Sequence, residues 1–195
     1  IFNQPTQSIN YLECHDGATT WDKMKISNSG SDTETRVKRQ KLMLGILLLA
    51  QGVPFIHSGE EFCRSKQGII NSYASGDQIN QLNWDRKDKY AQVVQYTEDL
   101  IKLRKRFPCL RIDDAYQIAE DTKITIKDNL VSYQLKEGNE YSELLVLINV
   151  TETRIDHPLN KEYAILANES GLLKNLTKTN YYSCAPLSIT VLGKK

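Results

Sequence analysis

The pattern of hydrophobic and polar positions along this chain changes character near Pro108. Before this residue, short β-type runs alternate with segments in which apolar residues recur at helical spacing. After it, apolar and polar residues alternate, or apolar residues form short runs, with no helical segment between them. The pattern therefore predicts two regions: residues 1–110 with strands and helices, and residues 111–195 with strands and turns only.

The first region contains two strand–loop–helix units. Residues 8–13 form a short β-type run, and Ser31-Asp32-Thr33-Glu34 fits a capping box that opens a helix ending at about residue 50. The second half of this helix is wholly apolar, which predicts burial on all sides. A second short strand spans residues 52–59, and a second helix spans about 87–106. Two such units in succession predict parallel strands in a sheet covered by helices.

In folds of this kind, the functional residues lie where the loops after the carboxyl ends of the strands converge. Two loops here have that position: His15-Asp16 after the first strand, and residues 58–84 after the second. Both are rich in Asn, Asp, Gln, Arg, Trp and Tyr, whose side chains hydrogen-bond sugar hydroxyls and stack on sugar rings.

The second region has the pattern of an all-β domain. Its first two strands alternate around a turn at Asp128-Asn129, and a later run is continuously apolar, as expected for a strand buried on both faces. Strands at this spacing with no helix between them predict a small antiparallel β-sandwich. The predicted strands lie at residues 123–127, 131–135, 144–150, 163–166 and 187–192.

Composition excludes several classes of protein. The chain has 195 residues, 40% hydrophobic and 25% charged, enough apolar material to bury a core. Its net charge of +1 gives no reason to expect a nucleic acid or a membrane as partner. The longest apolar stretch, residues 42–50, is too short for a membrane span of about 20 residues. The first residues show no signal-peptide pattern and no Met, which predicts that the chain is part of a longer protein.

The four cysteines lie far apart and form no CxxC pair, so they predict free thiols and favour a cytoplasmic compartment, with secretion as the alternative. His15 has no second ligand four residues away, so its spacing predicts no metal site. Nothing in the pattern calls for a cofactor.

An ordered series of motifs runs through residues 10–80. It comprises Asn10-Tyr11-Leu12-Glu13-Cys14-His15-Asp16, Thr20-Trp21-Asp22-Lys23, Gly59-Glu60-Glu61-Phe62, Arg64-Ser65-Lys66, Asn71-Ser72-Tyr73 and Gly76-Asp77-Gln78-Ile79-Asn80. This series resembles the type I pullulanases, starch-debranching glycoside hydrolases of the α-amylase-like superfamily. The residues after Leu110 resemble that family only in pattern.

The resemblance implies a fold and an activity. The fold class would be α/β plus all-β: residues 1–110 as the last βα units of a (β/α)8 barrel, and residues 111–195 as a carboxy-terminal β-sandwich domain. The activity would be hydrolysis of α-1,6-glucosidic linkages in pullulan, starch or glycogen with retention of configuration. The nucleophile and the acid/base would lie on earlier strands that this chain lacks, so the chain alone is predicted to be inactive.

The resemblance also implies roles for individual residues. Asp16 matches the carboxylate that stabilises the transition state, and His15 matches the neighbouring histidine that contacts the same sugar. The positions matching glucan-binding residues are Trp21, Arg64, Tyr73, Asp77 and Asn80. Gly17 stands where the family usually has Asn, which predicts the loss of one polar contact near the scissile bond.

Other interpretations remain open for these residues and for the whole chain. An ion pair within the loop accounts equally well for Arg64 and Asp77, and core packing is the alternative for Trp21 and Tyr73. The predicted partners are an α-glucan, the remainder of the same enzyme, and a second copy of the chain bound through an open barrel edge. Alternatives to the debranching enzyme are a non-catalytic glucan-binding or structural module and, among enzymes, an isoamylase-like or branching enzyme.

Overall fold

Two short parallel strands position the loops that carry the predicted site. In the computed structural model, which describes residues 4–195, β1 (Ile9–Asn10) pairs with β2 (Val53–Pro54), with Ile9 opposite Val53. The predicted parallel pairing is confirmed. Both strands are shorter than their β-type runs in the sequence, because the two strands pair at only two positions.

The helix predicted from the capping pattern is α2 (Thr33–Leu49). Its amino-terminal cap is Asp32 rather than Ser31, since the Asp32 carboxylate accepts a hydrogen bond from the amide of Thr35 at 2.7 Å. The prediction of burial on all sides is wrong at Ile46, which is 40% exposed. An additional helix, α1 (Thr20–Ser27), occupies part of the segment predicted to be a loop.

The second predicted helix is broken at Tyr90 into α4 (Asp85–Lys89) and α5 (Ala91–Arg106). The loop before it contains one helical turn, α3 (Asp77–Asn80). The prediction that no helix follows Pro108 is wrong. α6 (Ala115–Asp121) is capped by the Asp114 side chain, and none of its residues is buried, so it leaves no apolar stripe in the sequence.

Seven strands form one hydrogen-bonded antiparallel sheet in the order β3-β4-β5-β9-β6-β7, with β8 paired to β6. All five predicted strands coincide with observed strands, but the one at residues 163–166 covers only the end of β6, and β7 and β8 were missed. The antiparallel arrangement is as predicted, and the hydrogen bonding is continuous because the long β6 pairs with both β8 and β9. The β-sandwich itself remains a prediction. The strands are β3 (Thr122–Lys127), β4 (Leu130–Lys136), β5 (Glu143–Asn149), β6 (Ile155–Asn168), β7 (Gly171–Leu172), β8 (Lys178–Cys184) and β9 (Ser188–Lys194).

The main hydrophobic core joins the helices to the sheet. Leu48 of α2 and Leu100 of α5 belong to the same buried cluster as Leu144 of β5 and Val191 of β9. A second buried cluster, which includes Leu147 and Leu159, involves β4, β5, β6, β8 and β9. Helices and sheet are therefore stabilised by burial of the same apolar surface, and the domain boundary at residue 110 remains a prediction.

Two predictions made from composition remain: that the cysteines are free thiols, and that no segment spans a membrane. Cys14, Cys63, Cys109 and Cys184 are all free thiols, as predicted, and burial raises the pKa of Cys63 to about 12. No helix within residues 4–195 combines the length and apolar character needed to cross a membrane.

Candidate functional site

The loops after β1 and β2 are joined directly, as expected for loops that leave the carboxyl ends of neighbouring parallel strands. The amide of Ser72 donates a hydrogen bond to the carbonyl of Asp16 at 2.9 Å, and the Ser72 hydroxyl lies 3.2 Å from the same oxygen. Gly17 and Asn71 form an isolated antiparallel bridge beside this contact. The two sequence motifs thus form one site, although about 55 residues separate them.

The predicted catalytic pair lies on the surface of this site. The side chains of His15 and Asp16 are both exposed. His15 has φ of +46°, in the left-handed region that non-glycine residues seldom adopt. Asp16 uses its backbone carbonyl for the contacts with Ser72, which leaves its carboxylate facing solvent.

A buried lysine lies beneath this pair. Lys66 is only 2% exposed, and its ammonium donates to the carbonyl of His15 at 2.5 Å and to the hydroxyl of Ser72 at 3.0 Å. The carbonyl of Gly17 is 3.4 Å from the same nitrogen. Burial, with repulsion from Arg64, lowers the pKa of Lys66.

Asp22 of α1 anchors the loop that carries Lys66. Its buried carboxylate accepts hydrogen bonds from the hydroxyl of Ser65 and from the amide of Lys66, both at 2.7 Å. A helix that begins four residues after Asp16 therefore fixes the base of the opposing loop.

A second group of buried charges lies behind the first loop. Glu13 accepts a hydrogen bond from the amide of Thr20, and its other carboxylate oxygen lies 3.2 Å from Nδ1 of His57. Nε2 of His57 lies 3.4 Å from the guanidinium of Arg64. Glu60 is also buried, and desolvation together with the Glu13 charge raises the pKa of Glu60 to about 8.

The five residues predicted to contact a glucan fall into three groups: exposed side chains, side chains that hold the loop through backbone carbonyls, and one side chain packed in the core. Tyr73, 81% exposed, and the exposed Asp77 are open to a ligand. Arg64 is 8% exposed and donates to the carbonyls of Ser58 and Asn80, so the proposed Arg64–Asp77 ion pair is not formed. Asn80 donates to two backbone carbonyls of its own loop at 2.9 and 2.7 Å.

Trp21 requires a correction. It is 5% exposed, packs against Tyr90 with ring centroids 5.1 Å apart, and has the guanidinium of Arg36 over its ring at 5.0 Å. Its ring presents no open face to a sugar. The alternative of core packing describes it, and it does not belong to the candidate site.

Sequence reasoning did not single out Glu13, Asp22, Glu60 or Lys66 as a functional residue. Each of the four carries an ionisable group that is buried in the fold. The available signal was position: Glu13 directly follows the apolar pair Tyr11-Leu12, and Lys66 shares a motif with Arg64. Burial of these four side chains could not be predicted from the sequence, because residues that contact them lie about 50 positions away along the chain.

Comparison with known proteins gives a consistent result. The pullulanase of Bacillus subtilis (strain 168) is 40% identical over 184 residues, covering 91% of this chain and 26% of the relative. A glycogen debranching enzyme of Serratia proteamaculans (strain 568) is 27% identical, covering 82% of this chain and 30% of its own length. The chain thus spans about a quarter of the length of these curated relatives. No family model matches it.

Solved structures agree with the sequence relatives. The type I pullulanase from Bacillus subtilis str. 168, complexed with maltose, superposes with a TM-score of 0.94 at 37% identity over 98% of this chain and 28% of that one. A pullulanase from Anoxybacillus sp. LM18-11, complexed with maltotetraose, gives a TM-score of 0.91 at 34% identity. It covers all of this chain and 29% of its own.

Proposed function

Because this chain belongs to the pullulanase family, we propose that the protein carrying it is a debranching glycoside hydrolase of α-glucans. The reaction is the hydrolysis of α-1,6-glucosidic linkages in pullulan, starch or glycogen with retention of configuration. The observation that carries the proposal is the exposed Asp16, which follows a parallel strand on a loop pinned by Ser72 and Lys66.

Asp16 is the carboxylate that stabilises the transition state. Glycoside hydrolysis passes through a sugar ring with oxocarbenium character, so a fixed negative charge beside that ring favours the transition state over the neutral ground state. Asp16 has the properties this role needs, since its carboxylate is exposed while its backbone is held by the opposing loop. His15 presents its imidazole beside it as a partner for the same sugar.

The neighbouring loop supplies the glucan contacts. Tyr73 presents an exposed ring for stacking and Asp77 an exposed carboxylate for sugar hydroxyls. Arg64 and Asn80 act indirectly, by holding the loop through backbone carbonyls. With Gly17 after Asp16, no side chain at that position reaches the sugar.

The nucleophile and the acid/base belong to parts of the protein outside this chain. Retaining glycosidases need both groups about 5 Å apart on the two sides of the bond, and this chain contributes the third carboxylate only. The chemistry requires no cofactor. The isolated 195-residue chain is therefore expected to release no reducing sugar from pullulan above the rate of buffer.

The remainder of the enzyme is the first partner of this chain. Apolar side chains that share one face of the β1–β2 ladder are exposed, and they are Ile9, Tyr11, Val53 and Phe55. Further strands of a (β/α)8 barrel would cover this face. Without them, the isolated chain is expected to self-associate, and a monomer that persists across concentrations in light scattering would contradict this expectation.

The decisive experiment uses the full-length protein. Asp16→Asn removes the charge but keeps the size, and it is expected to lower kcat on pullulan by at least about 10²-fold. The matched control is Asp113→Asn, an exposed aspartate in the segment between α5 and α6. An Asp16→Asn protein that keeps more than half of the parent activity would overturn the assignment.

A further inference from the structure

The loop that carries Asp16 is held by the ammonium group of a lysine, Lys66, that is 2% exposed. Three successive backbone carbonyls, those of His15, Asp16 and Gly17, all accept hydrogen bonds from the opposing loop. The first and third bond to Lys66, and the middle one bonds to Ser72. We propose that Lys66 is a positioning residue, whose buried ammonium holds the carbonyls of the two residues that flank Asp16, His15 and Gly17, and so aims the Asp16 carboxylate at the substrate.

The network is closed by Ser72. Its hydroxyl accepts a hydrogen bond from Lys66 at 3.0 Å and donates one to the carbonyl of Asp16 at 3.2 Å. The amide of Ser72 donates to the same carbonyl at 2.9 Å. One lysine and one serine therefore satisfy every carbonyl of the three-residue segment, with no side chain of that segment involved.

The segment needs such support because its conformation is unfavourable. His15 adopts a φ of +46°, in the left-handed region that is unfavourable for a residue with a Cβ. A backbone in this state persists only where its surroundings over-determine it. Here the ammonium contacts the carbonyl of the strained residue itself at 2.5 Å.

A buried lysine at position 66 lowers the stability of the fold, so its presence is better explained by a role in function. Lys66 is 2% exposed, and no carboxylate of the described residues forms an ion pair with its ammonium. Backbone carbonyls and one hydroxyl replace its hydration shell, and burying a charge in this way is unfavourable unless it is fully hydrogen-bonded. The Lys66 amide is in turn fixed by Asp22 at 2.7 Å, so the base of the lysine is rigid.

The expected kinetic effect is specific. Lys66 hydrogen-bonds to backbone carbonyls of the Asp16 loop, and a misplacement of about 1 Å in a catalytic group costs roughly 10²-fold in rate. This inference rests on the proposed function of Asp16. Loss of the ammonium should therefore lower kcat strongly and change KM little, because the exposed contacts at Tyr73 and Asp77 remain.

The test uses the full-length protein with pullulan as substrate. Lys66→Met keeps most of the length of the side chain without its donors, and kcat is expected to fall about 10²-fold with KM within about 3-fold. Lys66→Arg, which retains donors, should recover part of the loss. The matched control is Lys23→Met, which removes an exposed lysine bonded to the Leu12 carbonyl of the same loop at 3.0 Å and should leave kcat within about 2-fold.

A double variant separates positioning from a merely structural role. If Lys66 acts by aiming Asp16, Lys66→Met should cost less than about 3-fold in the Asp16→Asn background, because the aimed group is already gone. An equal loss in both backgrounds would overturn the inference. So would a folded Lys66→Met protein with parent kcat, while a parent-like Asp16→Asn protein would instead refute the proposed function.

Should Lys66→Met fail to fold, Ser72→Ala tests the same network with a smaller change. It removes the hydroxyl that links Lys66 to Asp16 and is expected to lower kcat about 10-fold with KM unchanged. A folded Ser72→Ala protein with the kcat of the parent would count against the proposal.

Discussion

The guanidinium of Arg104, on α5, donates a hydrogen bond to the backbone carbonyl of Gly52, 2.7 Å away. The same group donates to the carbonyls of Leu48 at 2.8 Å and of Ala50 at 2.7 Å. These carbonyls lie at the end of α2 and just before β2, where the helix leaves its own acceptors unpaired. One planar cation therefore fixes the connection that brings the second strand beside the first.

Arg104→Lys is expected to destabilise the chain by about 2 kcal/mol, because an ammonium cannot reproduce the fork that spans three carbonyls. Thermal unfolding followed by circular dichroism measures the change, about 4–8 °C in a chain of this size. The control is Arg106→Lys, whose partner Glu140 lies with it on the surface. Its effect should stay within about 0.5 kcal/mol, and equal effects of the two substitutions would contradict the prediction.

Gly45→Ala should destabilise the chain although alanine favours helices by about 1 kcal/mol over glycine. A Cβ at position 45 of α2 would lie 2.5 Å from Cδ1 of Ile189 on β9, within the packed core. Overpacking of this kind costs about 1–3 kcal/mol. Ile189→Val removes the clashing methyl, so the double variant should be more stable than additivity predicts by about 1 kcal/mol.

The control for this cycle is Gly30→Ala, since nothing lies within 4 Å of a Cβ at that position. Chemical denaturation of the four proteins gives the coupling free energy. Strict additivity of Gly45→Ala and Ile189→Val would show that the helix and the strand do not meet as closely as the structure indicates.

Asp22→Ala and Asp16→Ala should differ in stability although both remove an aspartate from the same segment. Asp22 is buried and accepts hydrogen bonds from Ser65 and Lys66, so its loss should cost about 3 kcal/mol. The Asp16 carboxylate is exposed, so its loss should change the free energy of unfolding by less than about 0.5 kcal/mol. Similar losses from both would contradict the assignment of one aspartate to structure and the other to function.

The raised pKa of Glu60 predicts that the free energy of unfolding depends on pH. Desolvation and the Glu13 charge raise the pKa of this carboxyl to about 8 in the folded chain, against an ordinary value of 4.5. The folded state thus binds the proton more tightly, so stability falls as pH rises from about 4.5 to about 8, by a few kcal/mol in total. Above pH 8 both states are ionised and this contribution is constant.

Glu60→Gln keeps the shape without the titration. The variant should therefore gain stability over the parent as pH rises through that window, with little difference at pH 4.5. Urea unfolding of both proteins between pH 4.5 and 9 measures the difference directly. If the difference in free energy of unfolding between the two proteins does not change with pH, the Glu60 carboxyl has the same pKa in the folded and unfolded states.

Much of the fold could be predicted from the sequence, because the local periodicity of apolar residues indicates which face of a helix or strand is buried. The alternation of residues 123–127 and 131–135 predicts β3 and β4, and the apolar run from residue 144 predicts β5. The helix α6 was missed because it has no apolar stripe, and α1 because only Trp21 and Met24 mark its buried side. The amino-terminal cap was placed one residue early, since Ser31 and Asp32 are both good capping residues.

The sequence by itself determined the two strand–loop–helix units, the alternating strands β3 and β4, and the presence of His15-Asp16 in the loop after β1. The patterns that predict these features involve residues only a few positions apart. Tertiary structure decided which charges are buried: Lys66 beneath Asp16, Glu60 beside Glu13, and Trp21 turned into the core. Burial and hydrogen bonding there are set by chain segments about 50 residues away, and no local pattern records that contact.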